Sequence, residues 1–399
     1  MLRLLRVLSF PIVLSLACAG CSAGHPAAAP GTGRAAALGR HGGRAGPQPD
    51  VAAFSGLFCA RPPSPALRAD LGHAVPESLR SEIIPQGLLP GGHAAYVSIW
   101  TPAFAGVAAL DLATGSIRKI QPFGNPVTDQ ADGSSDGRWL VWEETYSLQS
   151  LDDFTVYAWD SATGRLLRLG HSLAGPGRVP WPSPWHAPAV SGDFAAWAQG
   201  YGPGGEVEIR LANLATGQVQ VIRSGHVQPP FFDGSLVVWP ESGRPGAQTT
   251  LRAVSMITGR AAALPPVLRP VHGTEFVATD GTRTAYLSPD LTRLYYSPAP
   301  AQQARLALRL PAGVDFADLA MGAGWLAWTT TSATYLASPA TGSYSQVTPE
   351  YGIAAGSGSK VLISDAAERK AASSILPMHV ADAADLTGPG CGAGQDPQR

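Results

Sequence analysis

Few side chains in this sequence are spaced as a catalytic or metal-binding motif requires. Residues 133–137 read Gly-Ser-Ser-Asp-Gly and match a nucleophile elbow, a strained turn between a strand and a helix that exposes a serine. The same Asp-Gly pair recurs at intervals along the chain, so we interpret the segment as a hairpin turn and assign no catalytic residue. Asp129, Asp132 and Asp136 are spaced loosely enough to contact calcium, but we interpret them as exposed turn acids. The histidines are scattered, so we predict no metal site and no cofactor.

The turns and strands that carry these residues contain a repeated heptapeptide. The seven copies are PGGHAAY ending at Tyr96, DGRWLVW at Trp142, SGDFAAW at Trp197, DGSLVVW at Trp239, DGTRTAY at Tyr286, GAGWLAW at Trp328 and SGSKVLI at Ile363. An Asp-Gly pair before an apolar run is typical of a tight hairpin, because Gly adopts positive φ without strain. The run that follows is apolar at successive positions, so its strand must be covered on both faces. We interpret the repeated Trp and Tyr as core between neighbouring sheets.

A second turn signal follows the apolar runs at a fixed place; it is degenerate in the fifth unit (Ser297-Pro-Ala-Pro) and lacks the Thr-Gly in the seventh. It reads Asp-Leu-Ala-Thr-Gly at 111–115, and related segments lie at 160–164, 213–217, 255–259 and 338–342. Each unit is therefore strand, D-G turn, strand, loop, strand, T-G turn, strand, recurring about every 44 residues. The pattern predicts an all-β protein, a seven-bladed β-propeller of four-stranded antiparallel blades. The predicted blades lie near 85–123, 124–171, 186–224, 227–265, 274–310, 315–348 and 351–390.

The unit D-G-x-x-L-V-W followed by D-x-A-T-G resembles the repeats of TolB-like (WD40-like) β-propellers across residues 85–390. The resemblance implies the fold. Residues 51–85 leave no room for the small N-terminal domain of TolB itself, so the partners of TolB are not carried over to this chain.

The first residues predict export and a lipid anchor. Arg3 and Arg6 precede an apolar run at 7–16, which is too short to span a bilayer and is typical of a signal peptide. The small residues that follow resemble a bacterial lipobox, which implies that Cys21 carries the lipid. Cys18 as the lipidated residue, or plain secretion after Ala19, are the alternatives. We expect the protein on the outer face of the bacterial cytoplasmic membrane.

The remaining organisation follows from composition and from the last two cysteines. Residues 1–20 form the predicted signal peptide, 21–50 a disordered tether rich in Ala, Gly and Pro, and 51–392 the propeller. In an oxidising compartment Cys59 and Cys391 would form a disulfide, with two free buried thiols as the alternative. We also predict that residues 52–58 supply the missing fourth strand of blade seven.

Residues that break the repeat cluster in blades two to four, on the face opposite the D-G and T-G turns. We call this the long-loop face, because insertions at 143–153, 199–206 and 241–245 and the crossing segment 180–186 (PWPSPWH) lie on it. The candidate binding residues there are Glu143, Glu144, Tyr146, Trp181, Trp185, Tyr201 and Glu241. Prolines stiffen the crossing and would present its two Trp at little entropic cost. Alternatively, those Trp cap the edge of blade three.

These observations favour a monomeric, non-catalytic binding or scaffold lipoprotein that holds a protein or an envelope ligand. The formal net charge is −1 and no basic stripe is present, which argues against nucleic acid. One alternative is a lyase, lactonase or glycosidase acting at the central channel. Four segments predicted to line that channel, 187–190, 227–232, 276–279 and 353–355, contain no His or carboxylate, which counts against an enzyme. Another alternative, by analogy only, is an accessory subunit of a membrane sensor.

Overall fold

The structure is a computed structural model that describes residues 57–72, 82–146, 152–184, 186–274, 276–349, 351–365, 378–386 and 391. The predicted signal peptide, the tether and Cys21 lie outside these residues, as does Trp185. Within the described ranges, no helix has the length and apolar character needed to cross a membrane.

The described chain folds as a seven-bladed β-propeller, which confirms the predicted fold class. Blade one contains β2 (Glu82–Leu88), β3 (Ala94–Trp100), β4 (Ala105–Asp111) and β5 (Ile117–Pro122). Blade two contains β6 (Gln130–Ser135), β7 (Trp139–Thr145), β8 (Phe154–Asp160) and β9 (Leu166–His171). Blade three contains β10 (Ala189–Ser191), β11 (Phe194–Gly200), β12 (Val207–Asn213) and β13 (Gln218–Val227). In each of these blades every strand pairs antiparallel with the next one along the chain.

Blade four departs from the predicted four strands. Blade four has β14 (Phe231–Asp233), β15 (Leu236–Ser242) and β16 (Thr250–Ser255), and a single bridge between Val254 and Ala261 replaces its fourth strand. Blade five has β17 (Val277–Thr279), β18 (Thr284–Leu287), β19 (Arg293–Ser297) and β20 (Arg305–Arg309). Blade six has β21 (Phe316–Gly322), β22 (Trp325–Thr330), β23 (Thr334–Ser338) and β24 (Ser343–Thr348). Blade seven has three described strands, β25 (Gly352–Ser357), β26 (Lys360–Asp365) and β27 (Met378–Asp382).

The recurring T-G turns follow from side-chain capping. The Asp111 carboxylate accepts hydrogen bonds from the backbone N–H of Thr114 (2.7 Å) and of Ala113 (3.1 Å). Gly115 then takes a φ of +71°, which suits Gly and strains other residues. Asp160 caps the equivalent turn of blade two in the same way, through Ala162 (2.9 Å). The motif is therefore a local turn device, and it recurs because each blade must reverse its chain at that point.

The apolar cores lie between neighbouring blades rather than within one sheet. The predicted positions Trp142, Trp197, Trp239 and Trp328 are buried at equivalent places on the second strands of their blades, as expected. Between blades one and two, for example, Tyr96 meets Trp159 edge-to-face with ring centroids 5.8 Å apart. Each blade thus buries both faces of its sheet, which is why the second strands are apolar at successive positions.

The ends of the described chain meet at blades six and seven, but not as predicted. Cys59 and Cys391 form the expected disulfide. However, β1 (Cys59–Ala60) pairs in parallel with β24 as a fifth strand of blade six. The proposed contribution of residues 52–58 to blade seven is therefore wrong for its described part, Leu57 and Phe58. The outer side of blade seven is instead covered by α1 (Pro65–Gly72), whose Leu67 packs against the core shared with blade six.

Candidate functional site

The first strand of every blade lies on the propeller axis. In order around the ring these strands are β2, β6, β10, β14, β17, β21 and β25, and β25 packs again on β2. Most of their described residues are half-exposed, as expected for strands that line an open channel. Because strands alternate in direction, the D-G and T-G turns share one face, and the loops and blade crossings of the long-loop face lie opposite.

Glu143 and Glu144 do not lie on the exposed long-loop face, which corrects their assignment as surface binding residues. Strand β7 continues three residues beyond Trp142, so both carboxylates point into interfaces between blades and are only 1% and 2% exposed. Burial, followed by the nearby Asp129, raises the pKa of Glu144 to about 7. Burial, followed by Asp132, raises the pKa of Glu143 well above its ordinary value.

Two carboxylates on inner strands were missed by the sequence reasoning, because Asp132 was interpreted as an exposed turn acid and Asp318 was not considered. Asp132 lies on β6 and Asp318 on β21, and both residues are half-buried. Burial and then the charge of Asp318 raise the pKa of Asp132 to about 6. Burial also raises the pKa of Asp318, whose carboxylate accepts the N–H of Leu319 at 2.7 Å.

The segments 187–190, 227–232, 276–279 and 353–355 contain no ionisable residue, although β14 ends at the buried Asp233, one position beyond the second of them. The inner strands β6 and β21 do carry carboxylates, so the composition of those four segments does not count against a site in the channel. The signal that could have found Asp132 is its place in the repeat, five residues before the D-G turn glycine at position 137 and thus on the first strand of its blade.

The long loops of blades two and three form one connected surface. The backbone N–H of Ser183, in the Pro-rich crossing, donates to the Asp152 carboxylate (3.0 Å) from the blade-two insertion. The hydroxyl of Ser183 accepts the N–H of Gly200 (2.8 Å), at the start of the blade-three insertion. Trp181 is half-buried in the crossing, and the adjacent Val179 is 66% exposed. The structure therefore brings three separately predicted segments together.

The remaining predicted binding residues have local partners. Glu241 forms a two-point ion pair with Arg223 and accepts the indole N–H of Trp239 (3.2 Å), so its carboxylate supports the sheet rather than standing free at a rim. Tyr201 is half-buried, and its N–H donates to the carbonyl of Glu206 (3.0 Å). Burial raises the pKa of the Tyr146 phenol.

The segment that matched a nucleophile elbow is a hairpin, as interpreted. Ser135 ends β6, its hydroxyl accepts the N–H of Gly137 (2.9 Å), and a strand follows instead of a helix. The neighbouring acids are not exposed turn residues, which corrects that interpretation. Asp129 is buried and accepts the N–H of Asn125 (2.6 Å), and Asp136 accepts the N–H of Trp139 (2.8 Å). Across the described ranges, no group of three or more His, Cys, Asp or Glu is arranged to hold a metal ion.

Comparison with known proteins supports the fold and leaves the activity open. The sequence matches no protein-family model and none of the curated proteins compared with it. Among solved structures it is similar to an oligogalacturonate lyase in complex with manganese, at 13% identity and a TM-score of 0.50, over 83% of this chain and 96% of the lyase. It is also similar to a prolyl endopeptidase, at 15% identity and a TM-score of 0.49, over 81% of this chain and half of that protein. TolB from Acinetobacter baumannii matches at 11% identity and a TM-score of 0.38, over 77% of this chain and 65% of TolB.

Proposed function

We propose that this propeller is a non-catalytic, TolB-like binding lipoprotein that holds an extracytoplasmic protein on the long-loop face of blades two and three. The observation that carries the proposal is the hydrogen-bonded junction of the three long segments through Ser183. Loops that are fixed to one another lose less conformational freedom on binding, so a surface made from them binds more tightly than separate flexible loops.

Trp181 supplies the expected anchor of this surface. Its ring packs on Gly175, where an added side chain would approach the ring to 3.0 Å, so the indole is already held in place before a partner arrives. Half-buried aromatic side chains of this kind contribute disproportionately at interfaces, and truncating one typically costs 2 kcal/mol or more, about thirtyfold in affinity.

The test uses two exposed side chains of equal accessibility on opposite faces. Val179 lies on the long-loop face at 66% exposure, and Ile257 lies in a T-G turn at 68% exposure. A photo-crosslinking amino acid at position 179 in the full-length, membrane-bound protein should capture a protein that the same group at position 257 does not. Trp181→Ala should reduce that capture strongly while leaving the melting temperature within a few degrees. Equal capture at both positions, or none at 179, would refute the proposed surface.

A channel enzyme is the second candidate function, and Asp132 and Asp318 are the observation in its favour. A carboxyl group with a pKa of about 6 is suited to general acid–base catalysis near neutral pH. Purified protein should then turn over a pectic oligosaccharide, a peptide or a lactone, and Asp132→Asn should abolish the turnover. Such a result would replace the binding proposal with the enzyme.

A further inference from the structure

A group of acidic side chains without a basic partner lies where blade two meets the axial channel. Glu143 is 1% exposed and neither of its carboxylate oxygens has a hydrogen-bond partner. It lies directly opposite Asp132 in the register of β6 and β7, and side chains in such pairs have Cβ atoms about 5 Å apart. A buried polar group without a partner requires an explanation, and one explanation is that the group contacts a ligand.

A third acid faces this pair across the axis. Blades two and six are three positions apart in a ring of seven, so Asp132 and Asp318 approach each other from nearly opposite sides. Each is the third residue of its inner strand, which places them at a similar depth. None of the ion pairs in the described residues involves Asp132, Glu143 or Asp318. Acidic side chains in an enclosed channel concentrate negative potential and attract cations.

Tyr351 completes the group at the mouth of the channel on the long-loop face. It immediately precedes β25 and its side chain is 39% exposed. Its pKa is raised to about 12 by partial burial and then by the charges of Asp318 and Asp132, so the phenol lies near the same acids. Aromatic faces attract organic cations, so Tyr351 adds a second attraction for such a cation at the entrance.

We propose that the axial channel is a binding site for an organic cationic group, an ammonium or a guanidinium, that enters from the long-loop face past Tyr351 and contacts Asp132 and Asp318. Asp132 and Asp318 supply the negative charge, and Glu143 lies buried behind Asp132 without a hydrogen-bond partner. An organic cation fits better than a metal ion, because the described residues contain no cluster of three metal-ligating side chains. The cation has two possible sources, a free polyamine or a Lys or Arg side chain of a partner protein. The site is separate from the blade-two and blade-three surface, so the two proposals fail independently.

The experiment is isothermal titration of the detergent-solubilised full-length protein with three probes at physiological salt. The probes are a tetra-arginine peptide, spermidine and a tetra-glutamine peptide as the neutral control. We expect binding of at least one cationic probe and none of tetra-glutamine. Asp132→Asn and Asp318→Asn, which keep side-chain shape, should each weaken that binding at least tenfold. Asp315→Asn removes an exposed acid from the same face outside β21 and should change the affinity less than twofold.

The probes also distinguish the two possible sources of the cation and the results that would overturn the proposal. Binding of tetra-arginine alone indicates a side chain of a partner protein, and equal binding of spermidine indicates a small cation. Tyr351→Ala, at a position that is 39% exposed, should weaken binding several-fold. Equal effects of Asp132→Asn and Asp315→Asn, or equal binding of tetra-glutamine, would overturn the proposal. Binding of calcium or magnesium chloride that needs both channel acids, with no organic cation bound, would also overturn it in favour of a metal site.

Discussion

The buried carboxyl of Glu144 should make the stability of this protein depend on pH in a direction opposite to that of an ordinary surface acid. Its pKa is about 7 in the folded protein, against an ordinary value of 4.5, because of burial and then the charge of Asp129. Between these two values the folded chain holds a proton that the unfolded chain has released. Stability therefore falls as pH rises through this window and is regained on acidification.

The magnitude follows from the size of the shift. A pKa raised from 4.5 to about 7 corresponds to about 3 kcal/mol at a pH well above 7, and to about 2–3 kcal/mol between pH 5 and pH 8. For a folded region of this size that difference is about 3–4 °C in melting temperature. Glu144→Gln preserves shape and removes the titration. The amide has its own desolvation cost, but that cost does not vary with pH, so the change between two pH values isolates the carboxyl.

The assay is differential scanning calorimetry at pH 5 and pH 8. On going from pH 5 to pH 8, the wild-type melting temperature should fall by about 3–4 °C more than that of Glu144→Gln. Other buried acids, including Asp132, contribute to both proteins and cancel in the comparison. Glu206→Gln, in an exposed loop, changes the net charge by the same amount and should behave as wild type. If Glu144→Gln retains the full pH dependence of wild type, the assignment of a protonated Glu144 is wrong.

Three further outcomes are expected. Replacing Cys59 and Cys391 by Ala opens a covalent loop of 332 residues. In the chain-entropy model this should lower the free energy of unfolding by up to about 6 kcal/mol. The urea midpoint should fall accordingly, and an unchanged midpoint would contradict the prediction. Trp197→Ala removes a fully buried ring between blades two and three and should cost about 3–5 kcal/mol by the same measurement, whereas a loss under 1 kcal/mol would place the ring outside the core. Cys21→Ser should release the protein from membranes into the medium, and retention with Cys18 intact would move the lipid to Cys18.

The features that sequence could predict are those that depend on neighbouring residues. Asp111 and Gly115 form their turn within five residues, and the apolar run that ends at Trp142 needs cover on both faces whatever lies further along the chain. Seven copies of the apolar run, five of them followed by the T-G turn, specify seven blades. The same signals also predict which turns share a face, because antiparallel strands alternate in direction.

The candidate site could be predicted only in part, because it depends on where strands end and on which blades face each other. Glu143 and Glu144 follow an apolar run and look like the start of a loop, yet β7 continues through them and buries both. Asp132 and Asp318 are 186 positions apart and share a channel only because the ring closes. The sequence also does not determine where the N-terminal segment packs, because a two-residue strand at Cys59 is too short to show a hydrophobic pattern. Turn chemistry is local and is encoded locally, whereas burial, charge proximity and closure arise from packing between distant blades.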